Sequence, residues 1–171
     1  APTRLCDEVW VVNRTANWLN IIDTATDTLI PFAVYGDSCL LYPEGIVANP
    51  RTHEMYVFSS SNGSVCVFDR VTRLYLRSIY VGGSPSYGVV LPDGSALYVN
   101  QGSYGPARVD LVSGAITYIT LPAGDPVYNM DIKADGSKIY VARNEDGFGY
   151  IDTATNTYTQ IPLTGSHETY G

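Results

Sequence analysis

Short apolar runs, each closed by a cluster of turn residues, succeed one another along the whole chain at intervals of about 8–12 residues, the pattern of successive short β-strands. The stretch 87–121 shows the unit. Tyr87 to Leu91 forms one run, and Pro92-Asp93-Gly94 is a turn. Ala96 to Asn100 is a second strand and 101–106 a loop. Ala107 to Asp110 is a third strand, and Leu111-Val112-Ser113-Gly114 a tight turn before a fourth strand, Ala115 to Leu121.

The unit recurs. Trp10-Val11-Val12-Asn13, Tyr56-Val57-Phe58-Ser59, Tyr98-Val99-Asn100-Gln101 and Tyr140-Val141-Ala142-Arg143 are four versions of the second strand, at spacings of 46, 42 and 42 residues. An apolar residue followed by aspartate marks the third strand: Ile22-Asp23, Phe68-Asp69, Val109-Asp110 and Ile151-Asp152. Gly45, Gly88, Asn129 and Gly171 form a third marker. Four-stranded units repeating near 42 residues select a β-propeller among all-β folds. The expected fold is therefore all-β, with four four-stranded antiparallel blades forming a four-bladed ring or half of a larger propeller. One domain, 1–171, is expected, with repeats at approximately 1–44, 45–87, 88–128 and 129–171. The register places Gly171 at the start of an inner strand that would lie beside Glu8 to Asn13, in the same chain or a partner.

The recurring aspartates have a local explanation: a carboxylate can accept backbone N–H groups two and three residues on and fix a turn. Four positions later stand Asp27, Arg73, Gly114 and Asn156. Three of these tolerate the left-handed conformation that tight hairpins need. Arg73 does not fit that rule, so a different turn is expected there. Trp10, Tyr56, Tyr98 and Tyr140 are expected to pack between sheets.

The strand Trp10-Val11-Val12-Asn13 and the hairpins Ile22-Asp23-Thr24-Ala25-Thr26-Asp27-Thr28 and Ile151-Asp152-Thr153-Ala154-Thr155-Asn156-Thr157 resemble the YVTN family of β-propeller repeats. Pro43-Glu44-Gly45 and Pro85-Ser86-Tyr87-Gly88 stand where that family opens a blade. The resemblance covers nearly the whole chain and is weaker at Arg70-Val71-Thr72 and Leu111-Val112-Ser113-Gly114. It implies a scaffold found in surface-layer proteins, binding modules and a few enzymes, and so fixes fold more than function.

Composition narrows the field. A net charge of −7 with ten scattered basic residues argues against nucleic acid, where affinity comes from neutralising phosphates. No apolar run is long enough to span a bilayer. Cys6, Cys39 and Cys66 are too few and too dispersed for a zinc motif. Cys66 reads as a small core residue within Val65-Cys66-Val67-Phe68, which leaves Cys6–Cys39 as the disulfide to consider. Asn13-Arg14-Thr15 and Asn62-Gly63-Ser64 are glycosylation sequons. The Ala-Pro-Thr start fits a removed signal peptide or a trimmed chain. These features suggest an extracellular or cell-surface protein.

No catalytic motif is present, and no cofactor is expected. His53 and His167 fall in loop sets at opposite faces of a propeller and read as ordinary loop residues. Asn144-Glu145-Asp146-Gly147 carries oxygen ligands suited to calcium but not the alternation of an EF-hand, and reads as a solvated turn. The best candidate surface is the channel mouth formed by the blade-opening loops: Tyr42, Glu44, Tyr87, Asp125, Tyr128, His167, Glu168 and Tyr170. Tyrosines there could stack on a sugar or flat ligand, or pack between blades. Three functions follow: a non-enzymatic binding module for a carbohydrate or protein ligand, a lactonase- or lyase-like enzyme with its site at the mouth, or a structural piece of a surface layer or filament. The expected partners also include copies of the same chain, or further blades if the chain belongs to a longer propeller.

Overall fold

The computed structural model describes residues 8–30, 39–122, 126–143 and 147–162. Among these residues, fifteen strands form four antiparallel sheets. Sheet 1 is β1 (Glu8–Asn13), β2 (Trp18–Asp23) and β3 (Thr28–Ile30). Sheet 2 is β4 (Pro43–Ala48), β5 (Glu54–Ser59), β6 (Ser64–Asp69) and β7 (Tyr75–Tyr80). Sheet 3 is β8 (Gly88–Val90), β9 (Ala96–Val99), β10 (Ala107–Asp110) and β11 (Ile116–Tyr118). Sheet 4 is β12 (Val127–Ile132), β13 (Lys138–Arg143), β14 (Phe148–Asp152) and β15 (Thr157–Ile161). Each is a meander of hairpins. Neighbouring sheets meet along β1 and β4, β4 and β8, and β8 and β12, a four-bladed, propeller-like arrangement. One 3-10 turn, Gly102–Tyr104, interrupts the loop expected to be irregular. Sheet 1 has three strands among the described residues; the strand expected from Glu168 to Gly171 lies outside them.

Local chemistry makes the hairpins. In all four repeats the marker aspartate accepts two backbone N–H groups on one carboxylate oxygen: Asp23 from Ala25 and Thr26, Asp69 from Val71 and Thr72, Asp110 from Val112 and Ser113, Asp152 from Ala154 and Thr155. The residue four positions on has positive φ every time: Asp27 55°, Arg73 60°, Gly114 76° and Asn156 56°. The expectation of a different turn at Arg73 is thus corrected. The Asp69 carboxylate imposes the same turn, and the Arg73 guanidinium is held by Glu8 of sheet 1 at 2.5 Å.

The glycine marker reflects close approach between sheets. A Cβ on Gly45 would lie 2.5 Å from the Ser86 carbonyl oxygen of sheet 3, and one on Gly88 would lie 2.6 Å from the Phe58 ring. Only glycine lets the inner strands pass that closely.

Three apolar clusters fill the seams. Leu19, Leu40, Val57 and Phe68 join sheets 1 and 2; Tyr56, Phe58, Leu97 and Val109 join sheets 2 and 3; Tyr98, Val127, Ile139 and Ile151 join sheets 3 and 4. The second-strand aromatic always faces the following sheet. Tyr56 and Tyr98 are fully buried, and Trp10 is partly buried against sheet 2. Tyr140 departs from the expectation: it is 44% exposed, because no described residue covers the far side of sheet 4. In place of the pairing considered from the sequence, Cys6 with Cys39, the structure bonds Cys39 to Cys66, with Cα atoms 5.9 Å apart, inside the seam of sheets 1 and 2. Cys66 is a core residue, as expected, and also half of this bridge; Cys6 lies outside the described residues.

Candidate functional site: the tyrosine-rich end

The antiparallel register sorts the residues of each sheet to two ends. Inner strands β4, β8 and β12 begin where second strands β5, β9 and β13 finish, since Pro43 pairs with Ser59, Gly88 with Val99 and Val127 with Arg143. The blade-opening positions therefore share one end, and the aspartate hairpins share the other.

The hairpin end carries most of the charge among the described residues. Many of its groups are engaged in turns and ion pairs, among them Asp23, Asp69, Asp93, Asp110, Asp135 and Asp152. Glu54 accepts the Tyr56 hydroxyl at 2.6 Å and pairs with Arg77. Burial pushes its carboxyl up, but the hydrogen bonds from Arg77 and Tyr56 prevail and leave it below its ordinary value. Burial raises the Tyr56 and Tyr98 phenols. Lys133 pairs with Asp135 at 2.7 Å, and this hydrogen bond lowers the Asp135 carboxyl.

The opening end is different. Tyr42, Tyr87 and Tyr128 are exposed there, as are Tyr80, Tyr104 and Tyr118 farther from the inner strands. Tyr42 adopts φ 54°; its N–H donates to the Asn17 side chain at 2.7 Å, and the Arg14 guanidinium lies 5.8 Å from its ring centre. Glu44 is half-buried and pairs with Arg14 at 3.2 Å. The structure thus joins Tyr42 and Glu44 through Arg14, a residue the sequence reading did not single out. Gly45 lies beside Tyr87, whose Cδ1 would be 3.5 Å from an added Cβ. Beneath these residues sits a buried polar clamp. The Asn100 side-chain amide donates to the Val127 carbonyl at 2.8 Å, while its oxygen accepts from Ser86 Oγ and the Gly102 N–H. The clamp fixes the opening of sheet 4 against sheet 3.

Asp125, His167, Glu168 and Tyr170, as well as Asn144, Glu145 and Asp146, lie outside the described residues. His53 is exposed at the opposite end from Tyr42 and Glu44. Among the described residues, no group of three or more His, Cys, Asp or Glu side chains could hold a metal ion. No helix among them is long and apolar enough to cross a membrane. Of the two sequon asparagines, Asn13 is exposed, whereas Asn62 is half-buried with its side-chain nitrogen donating to the Cys39 carbonyl at 2.9 Å.

Tyr80, Tyr104 and Tyr118 went unremarked in the sequence because they sit outside the repeat markers. The signal open to use was the glycine pair Gly82-Gly83, two residues after Tyr80.

Fold and surface together define a propeller-like β-sheet scaffold with a surface suited to binding or interaction. No known family profile and no curated protein matches the chain. Among solved structures the chain is similar to hydrazine synthase from Kuenenia stuttgartiensis, with a TM-score of 0.78 and 20% identity over 89% of this chain and 44% of that one. At that identity the likeness concerns the fold alone. This chain matches less than half the length of the hydrazine synthase chain.

Proposed function

We propose that this chain is a non-enzymatic binding module of the YVTN-repeat type, working outside the cell or at its surface, with its ligand taken at the blade-opening end. The observation that carries the reading is the division of labour between the two ends. Many charged groups of the hairpin end are engaged in turns and ion pairs, whereas the opening end presents Tyr42, Tyr87 and Tyr128 to solvent around a braced set of inner strands. Exposed tyrosines on a rigid frame give contact area at low entropic cost.

The two aspartate-threonine hairpins support the repeat type. The Cys39–Cys66 disulfide supports an oxidising compartment. Asp125, His167, Glu168 and Tyr170 belong to the same proposed mouth by repeat register. The outward faces of sheets 1 and 4 are apolar, which supports partnering of these faces by a second copy or by further blades of a longer chain.

The test is a screen of immobilised glycans and peptides with the wild-type chain and with Tyr42→Ala/Tyr87→Ala/Tyr128→Ala. A ligand held by the wild type and lost in the triple variant supports the mouth. Calorimetric binding of Mn2+ or Ca2+ that depends on Glu44, accompanied by lactone hydrolysis, would overturn the reading in favour of an enzyme.

A further inference from the structure

The opening end holds a second concavity, at the seam of sheets 2 and 3 and away from the mouth. Tyr80, Tyr104 and Tyr118 stand around a groove with a volume of ≈ 490 Å³, floored by Gly82, Gly83 and Gln101. That size falls within the roughly 300–1,000 Å³ of small-molecule sites. The three tyrosines come from three separate segments: the end of β7, the 3-10 turn and β11. All three are strongly exposed.

The floor is rigid and polar. Gln101 is buried, and its side-chain amide donates to the Val81 carbonyl. The Tyr118 hydroxyl reaches the same carbonyl at 3.4 Å. Gly82 and Gly83 both have positive φ. A Cβ on Gly83 would lie 2.6 Å from the Gln101 carbonyl oxygen, so the glycine loop is pressed onto the strand end beneath it. A Cβ on Gly82 would meet nothing closer than 3.9 Å, so the groove is open above its Cα, while its N–H donates inward to the Gly63 carbonyl at 2.9 Å.

We infer that this groove is a carbohydrate subsite, taking the neutral sugar units of an oligosaccharide. The lining holds no charged side chain, which disfavours an ionic ligand. Tyrosine rings offer flat apolar faces to the C–H face of a pyranose, and their hydroxyls offer hydrogen bonds to its edge. The floor beneath the rings is held by its own hydrogen bonds, from the Gln101 amide to the Val81 carbonyl and from the Gly82 N–H to the Gly63 carbonyl, so it presents a fixed shape to the ligand. A proline-rich peptide also docks in aromatic-lined grooves and is the competing occupant that the test distinguishes. The assignment stands apart from the mouth and holds whether or not the mouth binds.

The test uses the full chain, with cellotetraose, xylotetraose, chitotetraose and maltotetraose as probes. Binding is read by saturation-transfer NMR and calorimetry. At least one of these binds the wild type, and Tyr80→Ala/Tyr104→Ala weakens it about tenfold or more. Both residues are exposed, so the variant keeps its circular dichroism and melting temperature. The control Val112→Ala, exposed at the hairpin end, leaves the affinity unchanged, and the mouth variant Tyr42→Ala/Tyr87→Ala is measured beside it. The inference is overturned if no probe binds up to about 10 mM, or if binding survives in the groove variant. It is equally overturned if the mouth variant alone abolishes binding, a result that leaves the proposed mouth intact, or if a decaproline peptide shifts the groove tyrosines and no sugar does.

Discussion

Tyr98 and Tyr140 occupy the same position in neighbouring repeats, yet truncating them should have different consequences. Tyr98 is fully buried between sheets 3 and 4, against Val127, Met130, Ile139 and Ile151, and its hydroxyl donates to Asn156 Oδ1 at 2.6 Å. A tyrosine brings about 150–250 Å² to a core. At about 25 cal/mol per Å² that is about 4–6 kcal/mol. Compactness of the unfolded chain trims the sum by roughly 10–40%. Tyr98→Ala should therefore cost about 3–5 kcal/mol, the range of other large aromatic truncations. Tyr140 has lost nearly half that burial, touches Tyr150 edge-on at 6.4 Å, and would leave no enclosed cavity. Tyr140→Ala should cost about 2–3 kcal/mol by the same arithmetic. Tyr98→Phe isolates the hydroxyl and should cost about 0.5–1.5 kcal/mol. Guanidinium unfolding at low protein concentration, followed by the fluorescence of Trp10 and Trp18, gives all three values if the denaturant slopes agree. Alanine variants at the two tyrosines that differ by less than about 1 kcal/mol would refute the assignment of one covered and one open face.

Acid should weaken the hairpin end. The Ser113 N–H holds the Asp110 carboxyl down to about 2, and the Thr72 N–H holds Asp69 below its ordinary value. A depressed folded value means the stabilisation is complete above the unfolded value of about 3.9 and is lost as pH falls through the folded one. Denaturation midpoints should drop between about pH 4 and pH 2, less steeply in Asp110→Asn; an equal slope in the variant removes Asp110 from the explanation. Peptide mapping without reductant should find Cys39 linked to Cys66, and Cys39→Ala/Cys66→Ala should cost about 3–4 kcal/mol for a loop of this length. A Cys6–Cys39 peptide would contradict the structure. In a secretory host, Asn13 should be glycosylated far more fully than Asn62, whose side-chain nitrogen is already engaged; equal occupancy by mass spectrometry would count against that hydrogen bond.

What could be read from the sequence was whatever repeats or acts locally. The four strand markers and the four aspartate turns each involve residues within a few positions of one another, so the pattern alone located them. The disulfide was missed because the choice between Cys6 and Cys66 as partner of Cys39 depends on which strands stack across a seam. Arg73 was misjudged because the turn is set by Asp69, not by the preference of the residue obliged to take positive φ. The blade-opening positions of Tyr42, Glu44, Tyr87 and Tyr128 were legible from their place in the repeat. The Tyr80, Tyr104 and Tyr118 groove was not, since its members sit on three segments with no common register.

The outward faces of the first and last sheets can be read against the three seams between them. The position Val11, Val57, Val99, Val141 faces the preceding sheet; it is buried in sheets 2 to 4 and 40% exposed in sheet 1. The position Trp10, Tyr56, Tyr98, Tyr140 faces the following sheet and is exposed only in sheet 4. The residue types are those of a buried seam in both exposed cases. Val9 and Val11 line the outer side of sheet 1, and Tyr140, Phe148 and Ile161 line that of sheet 4. The two faces carry the residue types of the two halves of one interface, already formed three times in the chain, and the expected outcome is that they meet. An isolated chain should bury them by head-to-tail association, so sedimentation at about 100 µM should show dimers or larger species. Val11→Asp and Tyr140→Asp, each burying a charge in that contact, should shift the chain towards monomer without unfolding it. A wild-type chain that sediments as a stable monomer with both faces open to solvent would defeat the argument.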